Sequence, residues 1–128
     1  MPKIKILIAE DSKSIQFLYN KALPDAFFEK SLVLNGEEAL QAYKTQKPDI
    51  ILLDMHMPLL NGYQTLKILR ENFKDTATTI VMVTSSSDKE DVMACAKLGI
   101  QGYIVKPFTV EELPQLLMKY HRAKSVTA

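Results

Sequence analysis

The sequence holds one cysteine, Cys95, so an internal disulfide is excluded. It also lacks a charge bias: 16 basic and 15 acidic side chains leave a net charge of +1. Such a balance gives no global field to draw the chain onto nucleic acid or an anionic membrane, so local charge must select partners. No apolar run is long enough for a signal peptide or a membrane span, and the N-terminus MPKIKILIAED turns charged after a strand-length stretch. Internal repeats and low-complexity tracts are missing as well. These absences lead us to expect a cytoplasmic protein with no membrane insertion and no direct contact to nucleic acid. The 128 residues, 47% hydrophobic and 24% charged, suit one domain with one core.

Five short runs rich in Ile, Leu and Val predict strands: IKILIA (4–9), SLVL (31–34), DIILL (49–53), TIVMV (79–83) and GYIV (102–105). Between them apolar residues recur at helical spacing: Ile15, Leu18, Tyr19 and Ala22; Ala39, Leu40 and Tyr43; Tyr63, Leu66, Leu69 and Phe73; Val92, Cys95, Ala96 and Gly99; Leu113, Leu116, Leu117 and Tyr120. Asn35 is the expected N-cap of the second helix, with Glu38 as its reciprocal partner. Ser87 or Asp88 is expected to cap the fourth. Thr109 could cap the last, but Pro114 would then stand at the fifth helical position, so a late or bent start is expected. Cys95 reads as a small buried hydrophobe. Regular alternation with near-continuous apolar strands predicts an α/β fold, a doubly wound parallel sheet with right-handed crossovers. In such sheets ligands bind beyond the carboxyl ends of the strands.

The residues just past each strand are therefore informative. Glu10-Asp11 follow the first, Asp54 the third, Thr84-Ser85-Ser86-Ser87 the fourth and Lys106-Pro107 the fifth, whereas the second ends in Leu34-Asn35-Gly36 with no ionisable group. Three neighbouring carboxylates raise one another's pKa unless a cation intervenes, and magnesium takes oxygen ligands of this kind. Lys106 and Thr84 could then hold an anion beside it. Such a set reads as a phosphoryl-transfer pocket in which a carboxylate can itself be the nucleophile.

At these residues the chain resembles a response-regulator receiver domain, of the stand-alone chemotaxis and phosphorelay type, over residues 4–121, with 122–128 as a short tail. The resemblance implies a flavodoxin-like (βα)5 fold with strand order 2-1-3-4-5. It implies that Asp54 accepts a phosphoryl group from a sensor histidine kinase or a phosphotransfer protein. Mg2+ (or Mn2+) would be held by Asp11 and Asp54 directly, by the His56 backbone carbonyl, and by Glu10 mainly through water. Thr84 matches the switch hydroxyl, Tyr103 the switch aromatic and Lys106 the phosphoryl-binding lysine. Pro107 is expected after a cis bond, and Pro58 and Gly62 fall where the loop after the phosphoacceptor has them. Phosphorylation would reshape the face made by the fourth helix, fifth strand and fifth helix for a target protein the sequence does not name, and His56 and Ser86 would control water access. The chain would be a phosphoacceptor switch, with self-catalysed phosphotransfer and slow hydrolysis, more than an enzyme. The family more often has Asp-Asp where this chain has Glu10-Asp11, a difference that bears on metal affinity.

Taken singly, these residues have plainer readings: Asp54 a solvated strand end, Thr84 a loop or cap residue, Lys106 a surface lysine. Their order along the chain outweighs those readings. Met55-His56-Met57 offers ligand types suited to copper, but His121 is the only other histidine and no cysteine or further histidine lies nearby in sequence, so the methionines read as packing. An aspartate-nucleophile phosphatase of the haloacid dehalogenase type would need an Asp where His56 stands. A flavin-binding electron carrier would need a hydroxyl- and glycine-rich phosphate loop where AEDSKS stands. A degenerate receiver used only for docking would not need the complete set of site residues.

Overall fold

A computed structural model of the chain describes residues 2–85 and 89–127. Strands β1 (Ile4–Ala9), β2 (Phe28–Val33), β3 (Ile50–Asp54), β4 (Thr79–Thr84) and β5 (Gly102–Val105) form one parallel sheet in the order β2-β1-β3-β4-β5. Helices α1 (Lys13–Ala22), α2 (Gly36–Gln46), α3 (Gly62–Lys67), α4 (Lys89–Leu98) and α5 (Glu112–Thr127) join them, and α3 runs on into a π-helical turn over Ile68–Asn72. This is the expected flavodoxin-like arrangement. The order reverses between β1 and β3, so the carboxyl ends of those two strands border the crevice where such sheets bind ligands.

Strand periodicity builds the two faces. Ile6, Ile8, Ile50, Leu52, Val81 and Val83 pack with Tyr19 of α1 and Leu113 and Leu117 of α5. Their alternates Leu7, Ala9, Ile51, Leu53, Ile80 and Met82 pack with Ala39 of α2, Leu66 of α3 and Cys95 of α4. All five residues of β3 are buried. At roughly 1.5–3 kcal/mol for each large aliphatic side chain taken from water, this central strand and the fully buried β4 beside it are firmly fixed in the sheet.

Three local details differ from the sequence reading. β2 begins at Phe28, three residues before the predicted run, because Glu29 and Lys30 pair along β1 as an edge strand tolerates. Asn35 does cap α2, accepting from the Glu38 N–H at 2.9 Å, but the Glu38 carboxylate accepts from the N–H of Leu34 at 2.9 Å and not from Asn35. Residues 122–127, expected as a tail, continue α5. That helix starts late, as expected: Thr109 Oγ1 accepts from Glu112 N–H at 3.1 Å, and Pro114 falls in the first turn, where its missing N–H has no partner to lose. Ser86, Ser87 and Asp88 lie outside the described residues.

The opposite end of the sheet is tied by a polar network. Arg70 is buried and donates to the carbonyls of Gly99 (2.9 Å), Asp75 (2.8 Å) and Thr78 (3.0 Å). Asp75 accepts from the Tyr43 hydroxyl, from Thr78 Oγ1 (2.5 Å) and from the N–H groups of Ala77 (2.8 Å) and Thr78 (2.9 Å). The ends of α2, α3 and α4 and the start of β4 are thereby fixed to one another.

Candidate functional site

The crevice between β1 and β3 is lined by carboxylates. Glu10 follows β1 directly; its N–H donates to Val33 O at 3.0 Å, and its carbonyl accepts from Gln16 Nε2 at 2.8 Å. Its side chain is 1% exposed. Asp54 closes β3, level with Val83 of β4, and is also buried, whereas Asp11 is exposed. One carboxylate oxygen from each of Glu10, Asp11 and Asp54 lies within 4.8 Å of the others. Among the described residues this is the single such group of acidic, histidine or cysteine side chains, and His56 is not part of it.

Lys106, delivered by the turn after β5, enters this pocket from the far side. Its N–H donates to Thr84 O at 2.6 Å, and the bond to Pro107 is cis. Its ammonium stands 2.8 Å from Glu10 Oε1 and 3.3 Å from Asp54 Oδ1. Burial alone would lower the lysine's pKa, but the hydrogen bond it donates to Glu10 and the charge of Asp54 outweigh it and raise it, so the group is cationic at neutral pH. Burial raises the pKa of Glu10 and the charge of Asp54 adds to it, against hydrogen bonds from Lys106 and the Ser12 N–H. Two buried carboxylates and an exposed one face one ammonium, which leaves a surplus of negative charge. An all-oxygen donor set of this kind fits a hard divalent cation such as Mg2+.

The loop after β3 is shaped around Asp54. Gly62 N–H donates to Met55 O at 3.0 Å, and a Cβ on Gly62 would lie 2.4 Å from the Asp54 carbonyl oxygen. Only glycine lets α3 start this close to the strand end. Asn61 caps the helix, accepting from Gln64 N–H at 2.8 Å, while Gln64 Oε1 accepts from Asn61 N–H at 3.0 Å. Met55 and Met57 are buried in the core and His56 between them is exposed, so the Met-His-Met run alternates across the chain and presents no common ligand face. Pro58 is exposed in the same loop.

Thr84 is buried at the end of β4. Tyr103 points outward from β5 and is 46% exposed; its carbonyl accepts from the Tyr120 hydroxyl at 3.2 Å. The structure therefore brings Glu10, Asp11, Asp54 and Lys106 together, with Thr84 on the adjoining strand end and Tyr103 on the outer face of the sheet edge. Sequence reasoning missed the Glu10–Lys106 contact and the grip of Gln16 on the Glu10 carbonyl. An amide one helical turn into α1 gives no signal of its own in the sequence.

The sequence matches the family described as response regulator receiver domain over residues 6–118. It is 37% identical over 113 residues to the probable transcriptional regulator ycf27 of Porphyridium aerugineum, which covers 88% of this chain and 46% of that protein. The chain thus spans less than half the length of that relative. Among solved structures it is similar to the chemotaxis response regulator CheY4 of Vibrio cholerae, with a TM-score of 0.85, 30% identity, and 93% of this chain and 99% of that chain covered. It is also similar to a chain of the CheX-CheY-BeF3-Mg2+ complex of Borrelia burgdorferi, with a TM-score of 0.81, 26% identity, and 91% of this chain and 87% of that chain covered. No helix among the described residues is long and apolar enough to cross a membrane. The phosphatase and electron-carrier alternatives give way to this family match. The chain belongs to the response regulator receiver domains of two-component signalling, whose mechanism is phosphorylation on an aspartate.

Proposed function

We propose that Asp54 is the phosphoacceptor and that residues 1–128 act as one receiver domain. The observation that carries this reading is the position of Asp54: buried at the end of the central strand, with an ammonium at 3.3 Å and two more carboxylates close by. The donor is the phosphohistidine of a sensor histidine kinase or a phosphotransfer protein. An Asp54 oxygen attacks phosphorus, the P–N bond to the donor imidazole breaks, and its electron pair leaves with the nitrogen, which takes up a proton. Nothing is oxidised or reduced.

Asp11, Asp54 and the His56 carbonyl would hold Mg2+ (or Mn2+), with Glu10 acting through water; the ion supplies charge neutralisation between the carboxylates and the incoming phosphoryl group. Lys106 pairs with one phosphoryl oxygen and the Thr84 hydroxyl donates to another. Moving Thr84 toward the phosphate opens room for Tyr103 to leave its exposed position, and the face made by α4, β5 and α5 changes with it, a shift between two packings biased by new charge-assisted hydrogen bonds. The target is a protein that reads this face. A net charge of +1 supports a protein partner over nucleic acid as the direct contact, and a lone cysteine that forms no internal disulfide supports the reducing cytoplasm as the compartment. The chain acts as a switch; hydrolysis of the aspartyl phosphate resets it.

Incubation with radiolabelled acetyl phosphate and Mg2+ tests the assignment. The unaltered chain is expected to take up label, and Asp54→Ala to take up none. Persistent labelling of the variant at another residue overturns it.

A further inference from the structure

Lys106 has a second partner besides Asp54, and it is the closer one. The ammonium stands 2.8 Å from Glu10 Oε1 and 3.3 Å from Asp54 Oδ1. The Glu10 carboxylate is itself held, because its Oε2 accepts from Ser12 N–H at 3.1 Å, at the N-cap of α1. Both carboxylate oxygens are thus engaged, and the side chain cannot turn without giving up one contact. The backbone beneath it is fixed through Val33 O and Gln16 Nε2. Glu10 is among the most deeply buried polar side chains of the molecule, so its pair with Lys106 is shielded from water and salt.

We propose that Glu10 is a positioning residue that holds Lys106 at rest and competes with the phosphoryl group for it, which sets how readily this receiver is switched on. The inference rests on the reading of Asp54 as phosphoacceptor. Its chemical basis is reach. An aspartate at position 10 is one methylene shorter, about 1.5 Å along the chain. With the backbone pinned on both sides, that shortening takes the carboxylate beyond hydrogen-bond distance of the Lys106 ammonium. Lysine has three N–H donors on a flexible stem. Freed from Glu10, it settles on Asp54 alone, next to where the phosphoryl oxygens arrive, and no longer has to break its shortest contact. The longer residue at this position therefore acts as a brake, independent of any part it plays toward the metal.

Beryllium fluoride, with Mg2+ raised to saturation for each chain, probes this in the intact protein; bound beryllofluoride is followed by 19F NMR and the Lys106 ammonium by 15N-resolved proton NMR. Glu10→Asp is expected to bind beryllofluoride about tenfold more tightly, the size a single charge-assisted hydrogen bond supports. Its Lys106 ammonium protons should exchange with water faster than in the unaltered chain before any ligand is added. Glu10→Gln keeps the size of the side chain and removes the charge, and cannot improve metal binding, so it should shift affinity in the same direction. Equal or weaker beryllofluoride affinity in Glu10→Asp overturns the inference, as does an unchanged Lys106 signal. Tightening in Glu10→Asp with weakening in Glu10→Gln also overturns it, since the effect would then run through the metal. If Glu10→Asp fails to fold, Glu10→Gln decides by the same two readouts. Absence of bound beryllofluoride in the unaltered chain refutes the Asp54 reading, and this inference falls with it.

Discussion

Replacing Asp75 by Asn should cost stability at neutral pH and cost progressively less in acid. Asp75 lies at the end of the sheet remote from the acidic pocket, with its side chain 11% exposed. Burial alone would raise its pKa. Hydrogen bonds from the Thr78 hydroxyl, the Tyr43 hydroxyl and the N–H groups of Thr78 and Ala77 outweigh burial and hold it at about 2, against an ordinary 3.8. Burial, with the hydrogen bond its hydroxyl donates to Asp75, pushes Tyr43 up to about 12. A carboxyl depressed this far in the folded state contributes about 2.4 kcal/mol at neutral pH. The sign comes from linkage: the folded pKa lies below the unfolded one, so this stability is present above pH 3.8 and fades as pH falls through 2. Urea denaturation of the unaltered chain and of Asp75→Asn, from about pH 7 down to about 2.5, gives the difference directly, and carboxyls common to both chains cancel. The gap should be about 2 kcal/mol near neutral pH and should narrow by more than half at the acid end. A gap that stays constant with pH refutes the reasoning, because the loss would then come from packing rather than charge. Beryllofluoride binding should be unchanged, since the network touches none of the pocket residues.

Gly62→Ala places a methyl group 2.4 Å from the Asp54 carbonyl oxygen and 2.9 Å from the terminal carbon of Met82. We expect a loss of about 1–3 kcal/mol in urea denaturation together with slower labelling of Asp54 by acetyl phosphate, and a variant normal in both would show that the close approach of α3 is dispensable. Mg2+ should stabilise the chain, by about 2.7 kcal/mol at a hundredfold excess over its dissociation constant, and EDTA should remove the gain. Asp11→Asn should abolish most of that stabilisation; if it does not, the ion is held elsewhere.

The fold is legible in sequence wherever burial is two-sided. β1, β3 and β4 carry runs of Ile, Leu and Val because helices cover both faces, and these predicted runs, like the short one of the edge strand β5, lie within a residue of their strands. β2 reads short because an edge strand admits Glu29 and Lys30, which carry no apolar signal. The π-helical turn over Ile68–Asn72 is invisible for a different reason. The spacing Leu66, Leu69, Phe73 fits an α-helix, and the extra residue in the turn is set by tertiary contacts that Arg70 makes with Gly99, Asp75 and Thr78. An arginine in LKILREN reads as a solvated face, yet here it is buried, because its partners are backbone carbonyls that no sequence pattern marks.

The same distinction separates the legible part of the pocket from the rest. That acidic groups would sit at the ends of β1 and β3, and a lysine beyond β5, is implied by strand order plus the residue after each strand. Which oxygen the ammonium chooses is not. Glu10 and Lys106 are 96 positions apart in the chain, and their 2.8 Å contact depends on the registers of β1 against β3, β3 against β4 and β4 against β5, on the turn after β5, and on one methylene in a side chain. From sequence, Glu10 reads as a longer variant of an aspartate and Lys106 as a cation reserved for phosphate. In the fold they pair first with each other. Switching on such a site then has to be counted as an exchange of partners for Lys106, in which the phosphoryl oxygens must displace a buried carboxylate, and not as the filling of an open position.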